Sequence, residues 1–361
     1  MAGHQFIPIF EADLPEVAAF LFEQQTITSR EDWTQARPSG DDLRWLLDNP
    51  DLPPGAAMGE TLRTADGKIL GMILALPRMY RLGDRKLLGM AAGNFFVDAS
   101  ARMQGFFLLK RFLASSGPDF WYANSCNRQS GPLWSKLGGV LVAESDVEYL
   151  FPFRLGPLLE EIAIRKNWPA PLRKTLKRAG PLASLIAAPR RRRNPFRVEY
   201  CADLDRLADI AERDRNPRFL QADRSPAYLR WVYSSVPPTE GAEGASLTLH
   251  RFQDTTGREG WFGLSFVPRG RDDQIRSARL YDVVWPHEHY AFAEILPAIV
   301  EVAAQRTDLL SIRGRIGLGL SDRIAGLRRR TLLAPEAFIV SKTPPSSELA
   351  ALADFPFADR Y

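Results

Sequence analysis

The sequence predicts an α/β protein made of two related domains of similar size, 1–154 and 195–361, separated by a basic, proline-containing linker, 155–194. Three observations predict it. The length, 361 residues, exceeds what one hydrophobic core ordinarily organises and falls short of three. Landmarks in the first half recur in the second at a nearly constant offset. The positive charge lies between them: Arg154 to Arg197 hold twelve Lys or Arg against Glu160 and Glu161, so the net charge of +4 resides there and the rest of the chain is acidic.

The elements of the first half follow from local pattern. Phe6–Phe10 is a short β-like run. Asp13 is placed to cap a helix through Phe22, with Pro15 and Glu16 in its first turn, where a missing N–H and a negative charge both suit a helix start. Asp41–Leu47 reads as a second helix. The strand-like stretches Ala57–Arg63 and Lys68–Met79 flank Ala65-Asp66-Gly67, a hairpin signature because glycine takes the positive φ of a tight turn. Met90–Val97 reads as a strand, Phe106–Leu113 as a helix, Phe120–Ala123 as a buried strand, Gln129–Lys136 as a helix and Val140–Phe153 as strand-rich. The order is β-α-α-β-β-β-α-β-α-β-β.

The second half repeats that order. Leu43-Arg44-Trp45 before Pro50 matches Leu229-Arg230-Trp231 before Pro237, and Gly71 with Pro77-Arg78 matches Gly263 with Pro268-Arg269. Asp119-Phe120-Trp121 matches Asp308-Leu309-Leu310, and Gly138 matches Gly326, all at offsets between 186 and 192. Five matches in one order, each inside a corresponding element, argue for an internal duplication.

Composition narrows the classes. With 45% hydrophobic and 25% charged residues the chain has ample material for a packed core. No run approaches the roughly 18 to 20 apolar residues of a membrane span, and Met1–Phe10 has no signal-peptide character, so a cytoplasmic location is expected. Cys126 and Cys201 lack disulfide or zinc spacing and read as reduced thiols, and His287-x-His289 has no third ligand, so no metal is expected. Because the excess charge is confined to the linker, nucleic-acid binding loses its main support. Pro169, Pro171, Pro181 and Pro189 are expected to break the linker into short pieces. Two readings of it stay open: a connector packed over both domains with solvated charges, or a surface for anionic lipid at the inner face of the membrane or for another polyanion.

One stretch carries chemistry. Strand Asn94–Asp98 leads into Arg102-Met103-Gln104-Gly105, a helix, strand Phe120–Ala123, then Asn127-x-x-Ser130 and Lys136-Leu137-Gly138-Gly139. This succession resembles the GCN5-related N-acetyltransferases (the GNAT superfamily) over most of the first half. The resemblance implies two tandem GNAT-like domains, each a mixed, mostly antiparallel sheet flanked by helices. It also implies an acetyl-CoA or other acyl-CoA cosubstrate, its pyrophosphate held by backbone N–H groups at the helix start. Phe96, Val97, Arg102, Met103, Gln104, Gly105, Phe106 and Asn127 are the residues it assigns to the cosubstrate.

The sequence departs from the family at two places. Phe107 stands where the loop pattern ends in a small residue, able to crowd the pyrophosphate or to point into the core. Trp134 stands where many members have a tyrosine proton donor, and an indole is no usable acid. Glu60 and Asp146 are the candidate bases and Tyr122 the candidate acid. Asn127 serves equally as a helix cap, and Cys126 lacks an adjacent base.

The second half has Pro286-His287-Glu288-His289-Tyr290 where the Arg-x-x-Gly loop is expected, and Arg313-Gly314-Arg315 with Gly317 and Gly319 reads as a turn. A cofactor-free second domain that shapes the acceptor cleft follows, an arrangement similar to that of FemAB-like tandem acyltransferases. The resulting expectation is an acyl-CoA-dependent N-acyltransferase acting on a small-molecule or glycan amine, such as an amino sugar or an envelope-linked amine. The alternatives are a non-catalytic scaffold and an aminoacyl-tRNA-dependent transferase.

Overall fold

The computed structural model describes residues 4–28, 41–187, 193–234, 236, 247–269, 275–313, 328–331 and 336–354. They form two mixed sheets. The first runs β1 (Gln5–Pro8), β2 (Gly59–Arg63), β3 (Ile69–Leu82), β4 (Arg85–Val97), β5 (Phe120–Cys126), β15 (Glu336–Ser341), β6 (Val140–Leu141). Two short strands extend it from the far end of β3: β9 (Leu220–Ala222) and, beyond it, β16 (Ala353–Asp354). The second runs β14 (Arg328–Thr331), β7 (Val147–Pro152), β13 (Leu309–Arg313), β12 (Ile275–Val284), β11 (Glu259–Arg269), β10 (Leu247–Gln253), β8 (Arg197–Tyr200). Most neighbours are antiparallel; β4 with β5, β12 with β13 and β9 with β16 are parallel.

Sheet membership does not follow the expected division at 154 and 195. Strand β7, from the end of the first half, sits between β13 and β14 of the second, while β15, from the second half, sits between β5 and β6 of the first. Each half thus lends one strand to the other, in equivalent places. The duplication has a further signature. Asp119 donates its N–H to Leu88 O and accepts Leu88 N; Asp308 does the same with Arg276.

The core explains the near-continuous apolar run of β3. Met72, Leu74 and Leu76 pack on Leu14, Val17 and Leu21 of α1 (Leu14–Thr28) and on Leu43 and Leu46 of the 3-10 turn Asp41–Leu46. Ile73 faces the other way, onto Leu108, Leu109 and Phe112 of α2 (Gly105–Leu113) and Trp134 of α3 (Gly131–Lys136). A strand covered on both faces cannot show polar alternation. Burying each such side chain contributes about 1.5–3 kcal/mol. In the second sheet α8 (Phe292–Arg306) supplies Ile295, Leu296 and Ile299 to the equivalent core.

Two local expectations are corrected. The stretches read as separate strands around 79 and 90 form one long hairpin, β3 and β4 paired from Gly71–Val97 down to Leu82–Arg85. The linker is also more helical than its prolines suggested: α4 (Leu155–Arg165) and α5 (Ala170–Ala187) pack together. Pro171 lies in the first turn of α5, where no N–H is missed, and Pro181 is carried inside a segment rich in strong helix formers. Residues 188–192 lie outside the described residues. No helix among the described residues is long and apolar enough to cross a membrane.

From the second half, β9 and α7 (Pro226–Val232) reach the first sheet, while α6 (Leu204–Arg213) packs on α7 and β11. Tyr80 and Arg81 pair with Ala222 and Gln221. Trp231 of α7 stacks on Trp45 at 4.8 Å and donates its indole N–H to Trp45 O at 2.6 Å. The helix α9 (Ser346–Leu352) closes the same face at its other end.

Candidate functional site

β4 and β5 pair only at Gly89–Phe120, Met90–Trp121 and Ala91–Tyr122. Beyond those pairs β4 stays bonded to β3 as far as Val97, and β5 to β15 as far as Cys126. Both strands therefore remain in the sheet while their facing edges separate. The result is a wedge between 92–97 and 123–126, lined by backbone groups that the β4–β5 ladder leaves unpaired. Opposite Ile73, β4 carries an extra residue at Asn94-Phe95, with Asn94 at φ 45°. A bulge of this kind turns a backbone amide out of the ladder, here at the rim of the wedge.

At the end of β4 the chain turns through Asp98, whose carboxylate accepts Ser100 N at 2.8 Å, and a 3-10 turn Ala99–Gln104 into α2. No acidic residue occupies the first turn of α2 and no side chain caps it. Gly105 lets the helix begin against the strand: a β carbon there would lie 3.3 Å from Val97 Cγ2. Gly105 N–H closes the 3-10 turn onto Arg102 O, and with no acid in its first turn the positive end of α2, close to a strand end, suits an anion. Arg102 and Met103 are exposed beside it, Gln104 and Phe106 half-buried.

Phe107 is half exposed, at 50%, and lines an open groove of about 500 Å³ with Phe6, Gln104, Lys110 and Arg111. It neither enters the core nor points at the wedge. Trp134 is 1% exposed and packs edge-on to Phe112, as an aromatic core residue does. Asn127 is a cap: its Oδ1 accepts Gln129 N and Ser130 N, both at 2.9 Å. Burial pushes the Cys126 thiol up to about 12 despite a hydrogen bond with Ser130, which makes it inert as a nucleophile at neutral pH.

The three candidate acid–base residues are not brought together. Strand alternation puts Glu60, opposite Ile73, on the α2 face of the sheet, where Arg111 of α2 grips it through Nε at 2.9 and 3.0 Å. Asp146 is half-buried in the turn 143–146 between β6 and β7. Only Tyr122 lies on the opposite face, at the last β4–β5 pair before the wedge opens. Burial, and next the neighbouring Tyr80, raise its phenol well above the ordinary tyrosine value, so the hydroxyl keeps its proton.

The equivalent cleft of the second half is differently furnished. β12 and β13 pair at 277–279 with 309–311 and then part, with an extra residue at Tyr281, so wedge and bulge are both repeated. Glu294, however, folds back onto Ala291 N at 2.8 Å and supplies the negative charge that the start of α8 favours. Trp285 donates to Tyr290 O at 3.0 Å and packs on His287 and Phe292, closing the loop on itself. Among the described residues no group of His, Cys, Asp or Glu could hold a metal ion. The glycine-rich turn after Arg313 lies outside the described residues.

The fold of the chain recurs in solved structures. A protein of Enterococcus faecalis described as a probable N-acyltransferase aligns over 93% of this chain and 72% of its own at TM-score 0.54 and 9% identity. A GCN5-related N-acetyltransferase of Anabaena variabilis aligns over 93% and 72%, at TM-score 0.55 and 11% identity. An N-myristoyltransferase of Saccharomyces cerevisiae, solved with myristoyl-CoA and inhibitors, aligns over 96% and 82%, at TM-score 0.59 and 12% identity. The chain has the GNAT fold. No family model matches its sequence, and no curated protein does. Since these alignments span nearly the whole chain, the GNAT-like architecture extends over both halves, as the repeated wedge also requires.

Proposed function

We propose that the protein is an acyl-CoA-dependent N-acyltransferase whose first half takes the acyl-CoA and whose second half takes none. One contrast carries this reading: two duplicated clefts, of which the first has no acidic side chain in the first turn of the helix at its mouth and the second has its own Glu294 there. An anionic pyrophosphate suits the first and is repelled from the second. Phe96, Val97 and the segment Arg102–Phe106 would flank the cosubstrate. Myristoyl-CoA bound in the yeast N-myristoyltransferase supports a thioester of this class.

Acyl transfer on this frame needs little more than positioning. The wedge connects the α2 face of the sheet with the α1 face. An acyl-CoA whose phosphates rest at the start of α2 would pass between β4 and β5 and present its thioester on the α1 face, near Ala91, Gly93 and Tyr122. The amine nitrogen of the acceptor forms the new C–N bond to the thioester carbonyl carbon, the C–S bond breaks, and the proton lost by nitrogen is matched by the one gained by sulfur. An edge amide of the Asn94-Phe95 bulge would polarise the carbonyl, and Tyr122 is the protonated group on that face. The acceptor is a primary amine, with an amino sugar or envelope-linked amine as the class to try first.

Calorimetry with acetyl-CoA and with longer acyl-CoA thioesters tests the reading. One equivalent should bind per chain, and Gly105→Asp should abolish it, because a carboxylate at the helix start meets the pyrophosphate. Two equivalents, or none, would reject it.

A further inference from the structure

A buried guanidinium stands at the seam between the halves with three of its five N–H donors unpartnered. Arg78, on β3, is 6% exposed, yet its Nε and Nη2 have no hydrogen-bond partner. Its Cζ lies 4.3 Å from the ring centroid of Tyr228, on α7 of the second half, and 5.6 Å from that of Tyr80. Both rings stand within cation–π reach, and neither gives Nε or Nη2 an acceptor. Nearby carboxylates are otherwise engaged. Asp282 is held by Arg224 and Tyr233, Asp223 by Arg81, and Asp51 by the amide of Met79. Among the described residues none lies within ion-pair distance of Arg78.

The bare edge has a specific shape. Nε and Nη2 form the lateral fork of a guanidinium, two parallel N–H groups spaced for one carboxylate. The same seam shows that fork occupied: Arg224 donates from Nε to Asp282 Oδ2 at 3.0 Å and from Nη2 to Oδ1 at 2.7 Å. Arg78 presents this geometry without its acid. Its place matters as well. By the pairing Arg78–Gly89, Leu76–Ala91 and Ala91–Tyr122, it projects from the α1 face, the face onto which the wedge opens, beside Tyr122.

We propose that Arg78 is the receptor for a carboxylate of the acyl acceptor, bound side-on between Tyr80 and Tyr228. The acceptor is then an amine that also carries a carboxylate, such as an amino acid or an amino-sugar acid, and the second half recognises it by supplying Tyr228. The choice of acceptor rests on the acyltransferase reading; the anion site does not. Two parallel N–H groups match a planar carboxylate better than a tetrahedral phosphate.

The first arm of the test uses no CoA. Sodium acetate is titrated into the full chain at constant ionic strength made up with chloride, and followed by fluorescence of Trp231, which packs 5.7 Å from Tyr228. A saturable change is expected, with half-saturation at least 10-fold weaker in Arg78→Lys, which keeps charge but loses the fork, and absent in Arg78→Met. Inorganic phosphate should compete poorly. Equal acetate binding in the variants and the unmodified chain, no saturable response in the unmodified chain, or phosphate binding as tightly as acetate overturns the proposal. Arg78→Lys keeps the test meaningful should Arg78→Met fail to fold. The second arm is acetyl-CoA calorimetry on the same samples. Acetate uptake without acetyl-CoA uptake would reject acyl transfer and leave the carboxylate site standing; the reverse would reject the site alone. In turnover, glycine should outperform glycinamide as acceptor, and Arg78→Lys should erase that difference through KM.

Discussion

Asp119 and Asp308 hold the same position in the two halves, each closing the N-terminal end of a parallel strand pair by binding both backbone groups of one residue, Leu88 and Arg276. Their surroundings differ. Asp308 is buried and also bears Arg276 and Arg154 at 3.1 and 3.2 Å, while Asp119 is exposed. Removing the first takes the acceptor from the Arg276 amide and uncouples two arginines.

Asp308→Ala is therefore expected to lower stability by about 2–4 kcal/mol and Asp119→Ala by about 1 kcal/mol, read as the difference between urea unfolding midpoints at constant slope. Equal losses would show that burial does not set the worth of this contact.

Gly105→Ala and Gly105→Asp separate packing from charge. The new β carbon sits 3.3 Å from Val97 Cγ2, a contact that a small strand shift relieves. Gly105→Ala should stay folded and lose no more than about 10-fold in acetyl-CoA affinity, close to 1.4 kcal/mol. Gly105→Asp should lose all measurable affinity at an unchanged melting temperature. Parallel losses of affinity and stability in both variants would assign Gly105 to packing alone.

Glu60→Gln should leave turnover within about threefold of the unmodified chain, since a glutamate committed to Arg111 on the α2 face holds no substrate proton. Tyr122→Phe should lower kcat by about 10-fold or more and leave acetyl-CoA affinity unchanged, because only the phenol proton on the α1 face is removed. A large loss in Glu60→Gln with no effect in Tyr122→Phe would reverse these assignments.

What could be read from the sequence depended on range. Gly105 and its Arg102-x-x-Gly loop, and the repeated Asp119-Phe120 and Asp308-Leu309, are local signals, and the structure places them at the helix start and at the two parallel pairs. The exchange of β7 and β15 left no trace, because Val147–Pro152 is apolar but for Glu148, whichever sheet it joins. The wedge is a property of where pairing stops, which no single strand records. Glu60 looked like a base because an acid on a strand end is a common base; its partner Arg111 lies 51 residues away and was invisible. Arg78 was noted only as a landmark of the repeat, since its burial depends on Tyr228, 150 residues later. The linker prolines misled because proline in a first turn costs a helix nothing.

The last prediction concerns acid. His250, on β10, is buried, stacked on Phe262 at 5.4 Å and hydrogen-bonded to Thr248 Oγ1 at 3.0 Å. Burial first, and then the charge of Arg306, lower its pKa from 6.5 to about 4. The unfolded chain therefore binds this proton before the folded one does, and stability falls as pH drops from 6.5 toward 4. A shift of this size corresponds to about 3 kcal/mol once pH is below both values. Carboxylates at ordinary values titrate below pH 5, so the difference between the unmodified chain and His250→Phe is read from pH 7 to 5. Urea unfolding across that interval should show a loss of about 2 kcal/mol in the unmodified chain. His250→Phe, which keeps the ring stacked on Phe262 but has no proton to gain, should be less stable at pH 7 for want of a partner to Thr248 and nearly flat toward pH 5. A variant as steep as the unmodified chain would place the acid-sensitive group elsewhere.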